Sequence, residues 1–265
     1  MGALVAGTDG VELFENRTTH ASRTLMVADL TVLLEAVPHG TPEEYRRAIL
    51  EENVLQKKSA SARSKTREHL RALYFLDNEN PVFSALSTLA AEDAESVPML
   101  ALLCGATRDV LLRSTAEFVS EAPMEAVVSS EDLRRVVEEE FPNRFSENTL
   151  VEAGRRALSS WAQSGHLAEG SGYARKKAAA SVGSVVFALY LGHLSGVREM
   201  PLYGTFWAGL LDASEGEMDS LAFAASQRGL MEYRRMGDVA EFGFSMLEAR
   251  RRGAVSGGYS GDHND

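Results

Sequence analysis

The chain has 265 residues, 45% hydrophobic and 25% charged, and its 27 basic against 38 acidic side chains give a formal net charge of -11. This composition excludes a fibrous or intrinsically disordered chain, and the single cysteine, Cys104, excludes a disulfide framework or a zinc site built on several thiolates. The length favours two compact units.

Residues 1–22 are rich in Gly and Thr without hydrophobic periodicity, and a loose lead-in is expected there. They lack the basic n-region and apolar h-region of a secretory signal, so a cytoplasmic location is expected. A helix is predicted from about Thr24 to Ala36 on the apolar positions Leu25, Leu30, Leu33 and Leu34, with Val37-Pro38-His39-Gly40 breaking it. Thr41 then reads as an N-cap with Pro42 at the first helical position and Glu43-Glu44 at the positive end of the helix dipole. That helix should pass through Tyr45, Ile49 and Leu50 and end near Asn53.

A basic, hydroxyl-rich run follows. Between Lys57 and Arg71 stand six cations (Lys57, Lys58, Arg63, Lys65, Arg67 and Arg71) and one acid, Glu68. The run feeds a helix through Leu70, Leu73, Tyr74 and Leu76, stopped by Asp77-Asn78-Glu79-Asn80-Pro81. Two more helices are predicted, from about Pro81 to Glu92 and from about Ser96 to Phe118. The second carries Cys104 in an uncharged setting where it acts as a small hydrophobe. Residues 23–123 thus read as an all-helical N-terminal domain.

The rhythm changes at Glu121-Ala122-Pro123-Met124, and residues 124–252 read as a second domain. Ser129 with Asp132 resembles a capping box for a helix that presents Leu133, Val136, Val137 and Phe141 and stops at Pro142. Ser146 caps a second helix with Leu150, Gly154, Ala157, Leu158 and Trp161 on one face, and Gly165 ends it. His166 to Glu169 and Tyr173 to Lys177, across Gly170-Ser171-Gly172, read as a β-hairpin. Helix, tight turn, helix and hairpin is the order of a winged helix-turn-helix. Ala178 to Val197 lacks acidic and basic residues, but its Gly, Ser and His content fits a buried helix better than a membrane span, and no membrane partner is expected. A helix from Met218 to Met231 and a hairpin around Gly237-Asp238 follow, and residues 253–265 read as a disordered tail. The expected fold is mainly α: an N-terminal helical bundle, then a winged-helix-like domain with one or two small β-hairpins.

A basic patch held against an acidic average points to a polyanionic partner. Arg63, Arg67 and Arg71 fall four residues apart on one helical face, and Ser59, Ser61, Ser64 and Thr66 add hydroxyls suited to phosphate oxygens. The competing account pairs these cations with Glu43, Glu44, Glu51 and Glu52 on the preceding helix. In the second domain, Asn148, Arg155 and Arg156 sit opposite the apolar face of the Ser146 helix, where a winged helix reads the major groove. Arg175, Lys176 and Lys177 sit where wing residues meet phosphates. The same elements serve protein packing in many such modules, and Glu138-Glu139-Glu140 beside them would repel phosphate. No GxxxxGK[ST], GxGxxG, HExxH or GxSxG motif is present, and the six histidines have no ligand spacing, so no catalytic residue, metal or cofactor is expected.

The stretch Asn53-Val54-Leu55-Gln56-Lys57-Lys58-Ser59 with Arg63, Arg67 and Leu70-Arg71-Ala72-Leu73 resembles the BrxA family of BREX bacteriophage-defence systems. The region Leu111 to Val119, Phe141-Pro142, Ser146 with Thr149, and Gly165-His166-Leu167 extend the likeness over roughly residues 23–170. The resemblance implies an intracellular, non-catalytic helical protein whose N-terminal part is similar to the RNA-binding factor NusB and whose suspected activity is DNA binding. It points at Asn53, Lys57, Lys58, Ser59, Arg63 and Arg67, and lends nothing past Lys177. The expectations are therefore a double-stranded-DNA-binding accessory protein of phage defence, an adaptor that docks on other defence proteins, or an RNA-binding protein.

Overall fold

The computed structural model describes residues 13–257, which are mainly helical with two small antiparallel sheets. Four helices open the fold: α1 (Val27–Ala36), α2 (Pro42–Leu50), α3 (Ala60–Tyr74) and α4 (Pro81–Glu92). Their starts follow from local chemistry. Thr41 and Glu44 close a reciprocal capping box on α2, Ser59 caps α3, and Asn80 accepts from two backbone N–H groups at the start of α4.

The single helix predicted from Ser96 to Phe118 is instead three: α5 (Val97–Arg108), α6 (Val110–Ser114) and α7 (Ala116–Glu121). Asp109 causes the break. Its backbone is extended, and its carboxylate accepts from Leu111 and Leu112 N–H to start α6 afresh. Its other oxygen accepts from His20 N–H at 2.9 Å.

That contact also corrects the loose lead-in. From Leu13 the chain is packed: Phe14 stacks on Trp207 at 5.1 Å, backbone bonds tie Glu15 and Arg17 to Thr107 and Arg108, and a 3-10 turn at Thr19–Ala21 buries His20 completely. Residues 1–12 lie outside the described residues, as do 258–265 of the expected tail. Residues 253–257 of that tail belong instead to the last helix, α13 (Ser245–Gly257).

The remaining elements, in chain order, are β1 (Val127–Val128), α8 (Ser130–Glu140), α9 (Glu147–Gln163), β2 (Leu167–Glu169), β3 (Tyr173–Arg175), α10 (Val182–Leu194), α11 (Phe206–Gly209), α12 (Glu215–Gln227), β4 (Glu232–Met236) and β5 (Val239–Gly243). Sheet order is β1-β3-β2, with Val128 opposite Tyr173 and Glu169 opposite Tyr173 on the other side. The two-residue β1 was too short to read in the sequence. A Cβ at Gly154 would meet the Ser130 carbonyl at 2.3 Å, so only glycine lets α9 cross α8 this closely. Gly165, with φ +87°, turns the chain out of α9.

One hydrophobic cluster runs from Leu25 to Leu247, through Phe83, Leu100, Trp161, Phe187 and Trp207, and takes side chains from both sides of residue 123. The uncharged α10 is at its centre, buried along most of its length. Among the described residues no helix is long and apolar enough to cross a membrane.

Candidate nucleic-acid interface

The residues from Asn53 to Ser59 build the entry to α3. Asn53, at φ +54°, accepts from Lys57 N–H at 2.8 Å and donates to the Lys57 carbonyl at 3.1 Å, closing the loop with one side chain. Lys57 Nζ lies 2.7 Å from Asp29 Oδ1 on α1, so its charge is already matched. Ser59 accepts from Ala62 N–H at 3.1 Å as the N-cap. Asn53, Lys57 and Ser59 thus position the helix, and their polar atoms are committed to doing so.

The cations that follow are different. Lys58, Arg63, Lys65, Arg67 and Arg71 make no ion pair among the described residues. The acids of α2 that compete for them are engaged elsewhere: Glu43 and Glu51 bind Arg46, Glu52 binds Arg47, and Glu44 caps its own helix. Thr66, Leu70, Leu73 and Tyr74 face the core, so Thr66 offers no hydroxyl to a phosphate. At about 100° per residue, Arg63, Arg67 and Arg71 follow one edge of that buried stripe and Lys65 with His69 the other.

The second edge lies within electrostatic reach of Arg156 on α9. Burial lowers the pKa of His69, the charges of Arg23, Arg156 and Lys65 lower it further, and Glu68 opposes them. Four basic side chains from α3, α9 and the segment before α1 therefore share one neighbourhood. The two basic regions expected as rivals adjoin along His69, a residue the charge count passed over because neutral histidine adds nothing to it.

Elsewhere on the second basic region the charges are compensated. Arg155 and Arg156 share Glu152, at 3.2 and 2.8 Å, and Asn148 is exposed beside them. Arg134 joins Glu131, Glu138 and Glu147, and Arg135 reaches Asp132. Lys177 reaches Glu217 at 2.6 Å and is the chief reason its carboxyl is lowered to about 2; Lys176 and Arg144 are exposed and make no ion pair among the described residues.

Arg175 overturns its expected role. It is 2% exposed, and its guanidinium forks onto Asp212 at 2.8 and 2.5 Å and also donates to the His166 and Lys176 carbonyls. The cause is register: Arg175 pairs with Leu167 across the hairpin, which turns its side chain inward. It is a strut between the hairpin and the segment after α11, out of reach of any phosphate. His166 beside it is fully buried, and burial drives its pKa down to about 4, so it is neutral near pH 7.

One buried group has the connectivity of a nucleophile triad. His20 Nε2 is 2.9 Å from Ser160 Oγ, and its Nδ1 is 3.3 Å from Asp109 Oδ2. All three side chains are sealed from solvent, and Ser160 Oγ also accepts from Leu25 N–H. Buried in this way, the group ties α6, α9 and the N-terminal segment together. Cys104, whose thiol burial pushes up to about 12, is likewise a packing residue. Among the described residues no three His, Cys, Asp or Glu side chains are grouped to hold a metal ion.

A cleft of about 630 Å³ lies at the C-terminal end of α3, lined by Arg67, Glu68, Arg71 and Phe75, by Asp77 and Tyr45, and by Glu15, Arg17 and Arg108. Arg108 is buried, donates to Glu15 and to the Arg71 carbonyl, and stacks 3.4 Å from the Phe75 ring centroid. None of Arg17, Phe75 and Arg108 was marked by the sequence, because they come from three distant segments that only the fold brings together. No protein-family model matches this chain, and no curated protein matches it.

Proposed function

We propose that this protein binds double-stranded DNA without catalysing a reaction, and that α3 is its main phosphate-contacting surface. The observation that carries the proposal is the set of five cations, Lys58, Arg63, Lys65, Arg67 and Arg71, left without acid partners on a chain of net charge -11. An acidic protein gains no solubility from such a patch, and a polyanion gives it a use. The resemblance of Asn53 to Leu73 to the BrxA family supplies the setting: a cytoplasmic accessory component of phage defence.

Within this reading, residues 127–175 form a winged helix with α9 as the groove-facing helix and β2-β3 as the wing. The strand order β1-β3-β2 around α8 and α9 supports it. Its contribution to binding is secondary, since Arg175 is buried and Arg155, Arg156 and Lys177 carry intramolecular partners.

A titration against duplex DNA at several salt concentrations tests the proposal, because each phosphate neutralised on B-DNA contributes about -0.9 to the slope of log K against log salt. Changing the five α3 cations to Ala should flatten that slope. A slope left intact would remove α3 from the interface. Preference for structured RNA in the same titration favours the NusB-like reading. The adaptor reading, supported by the ion-paired α8–α9 surface and its Glu138 to Glu140 run, wins if the unmodified protein binds neither nucleic acid.

A further inference from the structure

We infer that the cleft at the end of α3 takes a nucleoside phosphate, either as a free nucleotide or as an unpaired nucleotide at the end of a nucleic acid. The inference rests on the proposed reading in that Arg67 and Arg71 belong both to the cleft and to the cationic face of α3.

Three observations converge on this ligand class. The first is size and charge. A volume of about 630 Å³ falls in the range of small-ligand pockets. Arg67 and Arg71 both line the cleft and make no ion pair among the described residues, which leaves their guanidinium donors for a phosphate. Arg17 and Arg108 are held by Glu15, which leaves the two α3 arginines as the unmatched cations of the wall.

The second is the mixed character of the remaining wall. Glu68 and Asp77 make no ion pair among the described residues. A site for a bare anion gains nothing from two carboxylates, whereas the amino and imino N–H groups of a base donate to carboxylate oxygens. Phosphate donors, base acceptors and an aromatic ring in one cleft are the elements that bind a nucleotide.

The third is strain. Phe75 and Leu76 both have positive φ, +66° and +54°, at the point where α3 gives way to the cleft floor. Consecutive non-glycine residues in that region are costly and persist where surrounding contacts enforce them. Here Arg108 stacks on Phe75 from below and bonds the Arg71 carbonyl, fixing the ring as part of the cleft wall. The same turn could have been built without strain by glycine, which would carry no ring.

The test titrates the full chain with guanosine 5′-monophosphate, adenosine 5′-monophosphate and inorganic phosphate by calorimetry, mapping each by NMR shifts of the Arg71 to Asp77 amides. In parallel, a blunt duplex is compared with the same duplex carrying a three-nucleotide single-stranded end. Binding of a mononucleotide with shifts at 71–77 establishes a free nucleotide as ligand. Tighter binding of the overhanging duplex alone, by about tenfold, establishes a nucleic-acid end. Either gain should fall about tenfold in Arg71→Ala, and in the isosteric pair Glu68→Gln with Asp77→Asn, which keeps an oxygen for the Glu79 N–H and should leave folding intact by circular dichroism. Inorganic phosphate binding as well as the mononucleotides, or no mononucleotide binding together with equal affinity for both duplexes, overturns the inference. In the latter case, blunt-duplex binding that persists leaves the α3 proposal standing; its loss sinks both.

Discussion

Two basic regions of this molecule have similar composition and opposite electrostatics. On α3, five cations make no ion pair among the described residues, while on α8, α9 and the β2-β3 hairpin nearly every cation is matched by a carboxylate of the chain itself. The difference teaches that a count of Lys and Arg along a sequence does not locate a phosphate surface. A guanidinium already held by a carboxylate must break that pair before it can meet a phosphate, so the exchange gains little. An unmatched cation gives the whole interaction and releases a counterion from the DNA.

The comparison breaks first, and with the largest effect, if α3 is stripped of charge. Lys58, Arg63, Lys65, Arg67 and Arg71 changed together to Ala should flatten the salt slope by about 4 and cost about a thousandfold in duplex affinity at moderate salt. Fluorescence anisotropy over a salt series measures both. A loss of less than about tenfold would place the DNA elsewhere.

Next in size is Arg175, where the expected effect moves from binding to stability. Arg175→Ala leaves Asp212 buried and uncompensated, which should cost about 3 kcal/mol in denaturant unfolding. The salt slope of the folded fraction should not change. Were Arg175 a phosphate contact, the slope would flatten and stability would hold.

These contrasts explain how far the sequence could be read. Helix starts were legible because their causes are local: Thr41 with Glu44, Ser129 with Asp132, and Ser146 each cap from within three residues. The hairpin around Gly237 was legible for the same reason. The break at Asp109 was not, since Arg108-Asp109 after eleven apolar or small residues looks like a helix surface until His20 arrives from far along the chain to bond it. Of the candidate site, the charge run of α3 was visible, but the absence of partners was not. Glu43 and Glu51 stand near enough in sequence to neutralise it, and only the structure turns them onto Arg46. Arg175 failed for a related reason: its inward register and its partner Asp212, 37 residues on, are tertiary facts.

The two regions should also part company on acidification. His166 has its folded pKa lowered from 6.5 to about 4, chiefly by burial, with Asp212 opposing. A base whose pKa is depressed by folding leaves stability whole above its unfolded value. As pH falls below about 6.5 the unfolded chain takes up a proton that the native chain refuses, and the loss continues until about pH 4. The expected loss over that window is about 3 kcal/mol. Urea unfolding at pH 7 and pH 4.5 should show it in the parent and a much shallower dependence in His166→Gln. Acid should therefore loosen the hairpin region in which His166 is buried.

The smallest expected effect sharpens the comparison at the line where the two regions meet. Glu152 holds both Arg155 and Arg156, and the charge of Arg156, with those of Arg23 and Lys65, lowers the pKa of His69. A duplex lying along α3 would pass Arg156 and miss the more exposed Arg155. Glu152→Gln frees both arginines without changing shape. It should steepen the salt slope by about 0.9, the worth of one added phosphate contact. Adding Arg156→Ala to that variant should return the slope to the parent value, while adding Arg155→Ala should not. If neither substitution matters, the interface ends at α3, and α9 with its ion pairs is left to packing or to a protein partner.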